Sequence, residues 1–151
     1  MKLKIKITTK NKNLTESDIL KFEQRIGLRL PIEYREFILL HNGGEPSPEV
    51  FPLIGHPTSK RDILNRFLCI EDGNLYDISY MISILGDQLP NDLLPIAIDP
   101  GGNLICIGIK GERHSKIYFC ALHEGLSGEI NIYPLADSFI RFLESLEYFS
   151  N

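Results

Sequence analysis

Leu3, Ile5 and Ile7 alternate with Lys2, Lys4 and Lys6. This is the period-two pattern of a strand with one dry and one wet face, and the lysine face predicts a sheet edge. Thr15 and Asp18 stand at capping-box spacing, with Leu14 and Ile19 placed to clamp the helix entry, so a helix is expected from about Glu16. Ile19, Phe22, Glu23 and Ile26 carry its period, and Gly27 closes it by taking the left-handed conformation. Pro31 suits the first turn of a second helix, because the donor it lacks is unpaired there in any case. Tyr34, Phe37, Ile38 and His41 form the inner stripe of that helix, and Asn42-Gly43-Gly44 ends it.

Four prolines between Pro46 and Pro57 surround Val50-Phe51-Pro52-Leu53-Ile54. They predict a turn and a short extended piece, an edge strand or a loop. Ser59 and Asp62 repeat the capping spacing ahead of Ile63, Leu64, Phe67 and Leu68, which predicts a short helix. Ile78, Met81, Ile82 and Leu85 recur at helical spacing within Leu75 to Leu85. Leu94 to Ile98, Leu104 to Ile109 and Lys116 to Leu122 read as three strands, joined by Asp99-Pro100-Gly101-Gly102-Asn103 and by Gly111 to Ser115, and together predict an antiparallel meander. Ile130 to Tyr133 is a further strand candidate. Asp137 or Ser138 then caps a last helix whose inner stripe is Phe139, Phe142, Leu143, Leu146 and Phe149. The order predicts one α+β domain over residues 1–151.

Length and composition agree with that reading. A chain of 151 residues with 43% hydrophobic and 24% charged residues is long enough for one core and too ordinary for a disordered or fibrous class. No apolar run reaches the ~18 residues that span a bilayer, and the charged amino terminus is unlike a signal segment, so neither a membrane partner nor secretion is expected. Three cysteines, Cys69, Cys106 and Cys120, lie in apolar stretches without CxxC spacing, as suits reduced thiols in a cytoplasm.

Charge changes the picture more. Residues 1–40 carry nine Lys and Arg against five Asp and Glu, and the remainder carries seven against fifteen. Between Arg66 and Lys110 there is no Lys, Arg or His, while Glu71, Asp72, Asp77, Asp87, Asp92 and Asp99 supply six carboxylates. An acidic surface repels phosphate backbones and attracts a basic partner, so nucleic acid is not an expected ligand. These six residues are the candidate partner-binding set.

Candidate chemistry is sparse. Gly43-Gly44 and Gly101-Gly102 lack the spacing that lines up backbone amides around a phosphate, and read as turn glycines. Cys120 and His123 are three apart on an expected strand, where they point to opposite faces and do not converge on a metal ion. Apolar neighbours such as Phe119 and Leu122 disfavour a thiolate nucleophile. Paired carboxylates such as Glu71-Asp72 read as solvated charges, and His41 as a cation beside the last carbonyls of its helix. No catalytic residue, metal or cofactor is expected.

An ordered set of short segments resembles the SUKH superfamily, which includes fungal regulators of cell-wall synthesis and bacterial immunity proteins of polymorphic toxin systems. The set comprises Leu14 to Gly27, then Leu30-Pro31-Ile32-Glu33-Tyr34-Arg35-Glu36-Phe37 and Asn42-Gly43-Gly44. It continues with Leu94-Pro95-Ile96-Ala97, Asp99 and Gly101-Gly102-Asn103-Leu104-Ile105-Cys106, then Lys116-Ile117-Tyr118-Phe119 with His123-Glu124, and Ser138-Phe139. It spans about residues 14–147. Cys120-Ala121-Leu122 stands before His123-Glu124 where relatives often carry an aromatic and an acidic residue.

The resemblance implies an α+β fold, no catalytic residues, and for bacterial members the binding of a cognate toxin. Its motif positions, Leu30, Pro31, Tyr34, Phe37, Asn42, Gly43, Gly44, Gly101, Gly102 and Asn103, read as scaffold. The expectation is a cytoplasmic immunity protein that covers a basic toxin, for example a nuclease, stoichiometrically. The alternative it leaves is an intracellular regulatory scaffold related to the cell-wall regulators. A small hydrolase using carboxylates, or Cys120 with His123, is the third class.

Overall fold

The computed structural model describes residues 4–122, 124 and 128–149. Among the described residues the first strand, β1 (Lys6–Thr8), pairs only with β2 (Glu45–Ser47), so the lysine-bearing strand is an edge as expected. Between them lie α1 (Glu16–Ile26) and α2 (Ile32–Leu40). The Thr15 side chain accepts from Asp18 N at 3.2 Å and the Asp18 carboxylate accepts from Thr15 N at 2.8 Å, closing the capping box. Gly27 ends α1 at φ 77°. Pro31 sits one residue before α2, as its cap, and Glu33 of the first turn accepts from Ile140 N at 3.1 Å.

Next come β3 (Val50–Pro52), β4 (Arg61–Ile63) and β5 (Arg66–Phe67). The helix expected after Ser59 is therefore absent: β4 pairs with β3, and β5 pairs with β6 and is bridged to Gly44. Leu64, Phe67 and Leu68 are buried as a helix would have buried them, but two distant backbones supply the hydrogen bonds, and tertiary pairing overrides the local capping signal. Helix α3 (Ile78–Leu85) follows, then the meander β6 (Leu93–Ile98), β7 (Leu104–Gly108), β8 (Ile117–Ala121) and β9 (Asn131–Ala136), with a short 3₁₀ turn at Gly111–Arg113. Together with β5 these form a five-stranded antiparallel sheet in sequence order.

The last helix, α4 (Phe139–Glu144), is capped by Ser138 Oγ accepting from Arg141 N at 3.1 Å. It is shorter than its apolar stripe. Leu146 is buried beyond its end, but Phe149 is 64% exposed, because Glu147 leaves the helix to bridge Val50 by reciprocal backbone hydrogen bonds.

The meander's period-two pattern sorts its side chains to two faces. Ile105, Ile107, Ile117, Phe119 and Ala121 join the main core with Ile19, Phe22, Tyr34, Ile38, Phe139 and Phe142 of the helices. Leu104, Cys106 and Cys120 face the other way and pack with Leu93 and with Leu85 of α3. A sheet covered on both faces explains why β6 and β7 are nearly continuous in apolar residues. His41 caps α2, and its ring packs on Phe37 with centroids 5.2 Å apart. Burial lowers its pKa, so the charged form expected at the helix end is disfavoured.

Candidate functional site

The six carboxylates separate into internal and surface groups. Asp77 is buried: it caps α3 by accepting from Tyr80 N at 2.9 Å, and its other oxygen accepts from Glu71 N at 2.9 Å. Asp99 is buried in the β6–β7 turn, where its two oxygens accept from Asn103 N at 2.7 Å and Asn103 Nδ2 at 3.0 Å. Both belong to the scaffold and leave the candidate set, because a capping or turn carboxylate has its lone pairs turned inward. Asp92 is half-buried and ion-paired with Arg113 at 3.1 Å, so its charge is largely cancelled. Glu71 is half-buried and accepts from Asn74 Nδ2 at 3.2 Å. Asp72 and Asp87 are exposed and take part in no ion pair among the described residues.

These two exposed charges bracket α3, Asp72 in the loop before it and Asp87 just past its end. The helix carbonyl end adds negative potential on the Asp87 side. Ile78 and Leu85 turn inward, which leaves Tyr80 (46% exposed) and Ile84 (56%) one turn apart on the outer face. Leu75 lies exposed just before the helix. An apolar centre with a charged rim is the composition of a protein-binding patch. The sequence reading named the charges but not Tyr80 or Ile84. They were identifiable as the positions left over once 78, 81, 82 and 85 were assigned inward. A groove of about 400 Å³ lies on the other side of α3, lined by Ile26, Ile82, Leu85, Leu89 and Leu93, with Arg25 donating to Ser79 Oγ at 3.1 Å on its rim.

Removing the Asp77 cap should cost about 1–2 kcal/mol, because Asp77→Ala strands both the Tyr80 and Glu71 amides. Urea unfolding of the variant checks this, and the destabilisation should exceed that of Asp72→Ala, whose side chain is exposed.

The remaining reactive groups are occupied. Cys106 and Cys120 are fully buried inside the sheet, and burial raises the Cys106 pKa. Cys69 is pushed up to about 12 by burial and by nearby Asp77 and Glu71. Neither is a thiolate nucleophile near neutral pH. His56 Nδ1 accepts from Thr58 N at 3.2 Å and Ser59 N at 2.9 Å, while Nε2 bonds the Glu124 carboxylate, which also accepts from the Tyr133 hydroxyl at 2.7 Å. With both ring nitrogens engaged, this histidine works as a fastener between loops and has no free lone pair for a substrate proton. His123 lies outside the described residues. Among the described residues, no three His, Cys, Asp or Glu side chains converge as metal ligands, and no helix is long and apolar enough to cross a membrane.

The motif residues sit at joints. Asn42 is buried: its Oδ1 accepts from Ile70 N at 2.8 Å, and its Nδ2 donates to Ile70 O at 3.1 Å and Lys12 O at 3.0 Å. The side chain copies a strand neighbour and extends the ladder begun by Gly44 and Phe67. Gly43 (φ 74°) and Gly44 (φ 121°) pass between that ladder and β1; a Cβ on Gly43 would strike Cys69 Cβ and crowd the Phe67 and Leu68 carbonyls, and one on Gly44 would strike the Thr8 carbonyl. Leu30 N donates to the buried Glu23 carboxylate at 2.7 Å, and Glu23 is paired with Arg35 at 3.2 Å. Tyr34, Phe37 and Phe139 form edge-on ring contacts 4.9–5.3 Å between centroids. Asn103 Oδ1 accepts from Leu122 N at 3.0 Å, fastening the Gly101-Gly102 turn to the end of β8.

The ordered spacing of these joints is what a family profile reads, and the profile of the SMI1 / KNR4 family (SUKH-1) matches residues 13–145. The chain belongs to the SMI1 / KNR4 family. No curated protein matches it. In this SUKH-1 chain the motif residues build the domain, and the α3 face is made of residues outside them. Members of the family are known as non-enzymatic immunity or regulatory proteins.

Proposed function

We propose that this SUKH-1 chain is an immunity protein: a cytoplasmic binder that covers the functional surface of a cognate basic toxin, such as a nuclease, and holds it inactive in a stoichiometric complex. The observation that carries the reading is the outer face of α3, where exposed Tyr80 and Ile84 lie between the uncompensated carboxylates Asp72 and Asp87. The apolar pair supplies anchoring contacts, and the carboxylates speed encounter with a positively charged partner. Three free, buried cysteines suit a reducing compartment.

The test uses the toxin recovered with the chain from its native host. Replacing Asp72 and Asp87 with lysine should slow association at low salt by about tenfold or more, with the difference shrinking at high salt. An unchanged rate at low salt contradicts the assignment of this face. Recovery of an endogenous regulatory protein as the stable partner, with no toxin, supports the scaffold alternative in its place.

A further inference from the structure

Strand β1 has a partner on one side only among the described residues, and its register with β2 fixes what the other side presents. Lys6 stands opposite Ser47, Ile7 opposite Pro46 and Thr8 opposite Glu45. In an antiparallel ladder, opposed residues alternate between pairs that exchange both backbone hydrogen bonds and pairs that exchange none. Pro46 has no N–H and cannot join a reciprocal exchange, so the exchanging pairs are Lys6 with Ser47 and Thr8 with Glu45. The Thr8 carbonyl keeps this phase, since it turns towards Gly44, the residue that leads into β2. Ile7 therefore points its N–H and its C=O away from β2.

The side chains along this edge divide by the same alternation. Ile5 and Ile7 are half-buried against the main core, while Lys4, Lys6 and Thr8 are exposed, as is Lys10 beyond them. None of these three lysines takes part in an ion pair among the described residues, and Glu45 on β2 is committed to Arg66 at 3.0 Å. The edge shares no residue with the α3 face and carries charge of the opposite sign.

We infer that the free edge of β1 is a docking strand for an extended acidic segment of a protein partner, which pairs with the Ile7 backbone and sets its carboxylates against Lys4 and Lys6. A peptide backbone supplies a donor and an acceptor together, which is what the Ile7 carbonyl and amide require. A phosphate offers acceptors alone and leaves the carbonyl without a donor. A second copy of this edge would set lysine against lysine, and like charges directly opposite destabilise a strand pair. Edge lysines deter neutral strands for want of any compensating charge, so they make the edge selective. Carboxylates at the facing positions turn the same contacts into attractions. The added strand also continues an existing structure, because β2 follows the Gly44–Phe67 bridge, and β5 pairs onward into the central sheet.

A peptide of alternating glutamate and valine, titrated into the isotope-labelled full chain at low salt and followed by amide NMR, tests this. The Lys6, Ile7 and Thr8 amides should shift together, and exchange at Ile7 should slow about tenfold or more at saturation, because its N–H gains an acceptor. Lys4→Glu combined with Lys6→Glu should weaken binding by about tenfold, a difference that shrinks as salt is raised. Ile7→Pro removes a donor that β2 does not use, so the β1–β2 ladder should persist while the peptide no longer binds. The lysine variant reads the same edge should the proline variant fail to fold. No shift up to about 1 mM peptide overturns the docking strand. An equal response to a peptide of alternating glutamate and proline, or to inorganic polyphosphate, overturns it too, because charge alone then accounts for binding. Shifts at Lys6 and Ile7 that grow with chain concentration in the absence of peptide would assign the edge to a second copy and overturn it as well.

Discussion

Replacing Gly108 with alanine should destabilise the domain by more than about 4 kcal/mol, beyond the range common for point substitutions. Gly108 ends β7 opposite Leu93 of β6, and the 3₁₀ turn folds back directly over it. Its amide donates to Lys116 O at 2.9 Å and its carbonyl accepts from Ser115 N at 2.8 Å, so the turn is held against the strand from both sides. A Cβ at this position would occupy the space of the Arg113 carbonyl. Backbone cannot rotate away as a side chain can, so the turn has to detach or the strand has to shift, and either breaks the β7–β8 ladder near Ile117. Gly102→Ala is the control. Gly102 has φ 89° but open space around it, so alanine there carries only the left-handed penalty of about 1–2 kcal/mol. Circular dichroism and thermal unfolding of both variants check the ordering. Equal losses would show that close approach is not what keeps Gly108.

Asn42→Ala should cost roughly 3 kcal/mol, a fall of about 6–12 °C in melting temperature for a chain of this length. The Asn42 side chain satisfies three backbone groups at once, the Ile70 amide, the Ile70 carbonyl and the Lys12 carbonyl. Truncation strands them together, and each buried unsatisfied group costs about 1–3 kcal/mol, offset where water reaches the half-exposed Lys12 side. The loss is also topological. Asn42 joins the end of α2 to the segment after β5, and Asn11 donates to the Asn42 carbonyl at 2.8 Å, so one residue holds three stretches of chain together. The variant should lose exchange protection first at Ile70 and at the Gly44–Phe67 bridge, while α4 and β8 keep theirs. A uniform loss across the sheet would argue instead that the joint does not open separately.

These two positions show what was legible in the sequence and what was not. Asn42-Gly43-Gly44 was visible as a helix stop, because glycine pairs after an apolar stripe are a local signal. Its work as a side-chain bridge depends on Ile70, 28 residues away, and no local pattern reports that. The capping box at Thr15 and the meander from Leu94 to Leu122 were readable because their periods run long enough to outweigh noise. At Ser59 and Asp62 the same capping spacing arose by coincidence. The three-residue β4 and two-residue β5 exist through pairing with β3, β6 and Gly44, and strands that short have no period of their own.

The acidic stretch was legible as composition alone. Which of its carboxylates remain free was fixed by local chemistry, since Asp77 precedes an apolar helix as a cap and Asp99 stands four residues before Asn103 across a glycine turn. Both patterns are readable in principle. The pairing of Asp92 with Arg113 is not, because it joins elements that only the folded sheet brings together.

The central claim is that this SUKH-1 chain acts by occupying its partner and leaves that partner chemically unchanged. Titrating the recovered toxin with the purified chain, while following toxin activity and intact mass, tests it most directly. The account predicts that activity falls linearly to zero at a fixed stoichiometric ratio, and that active toxin of unaltered mass returns when the complex is separated in denaturant and refolded. Complete inactivation by a small fraction of an equivalent, growing with time and leaving a toxin of changed mass, would contradict it.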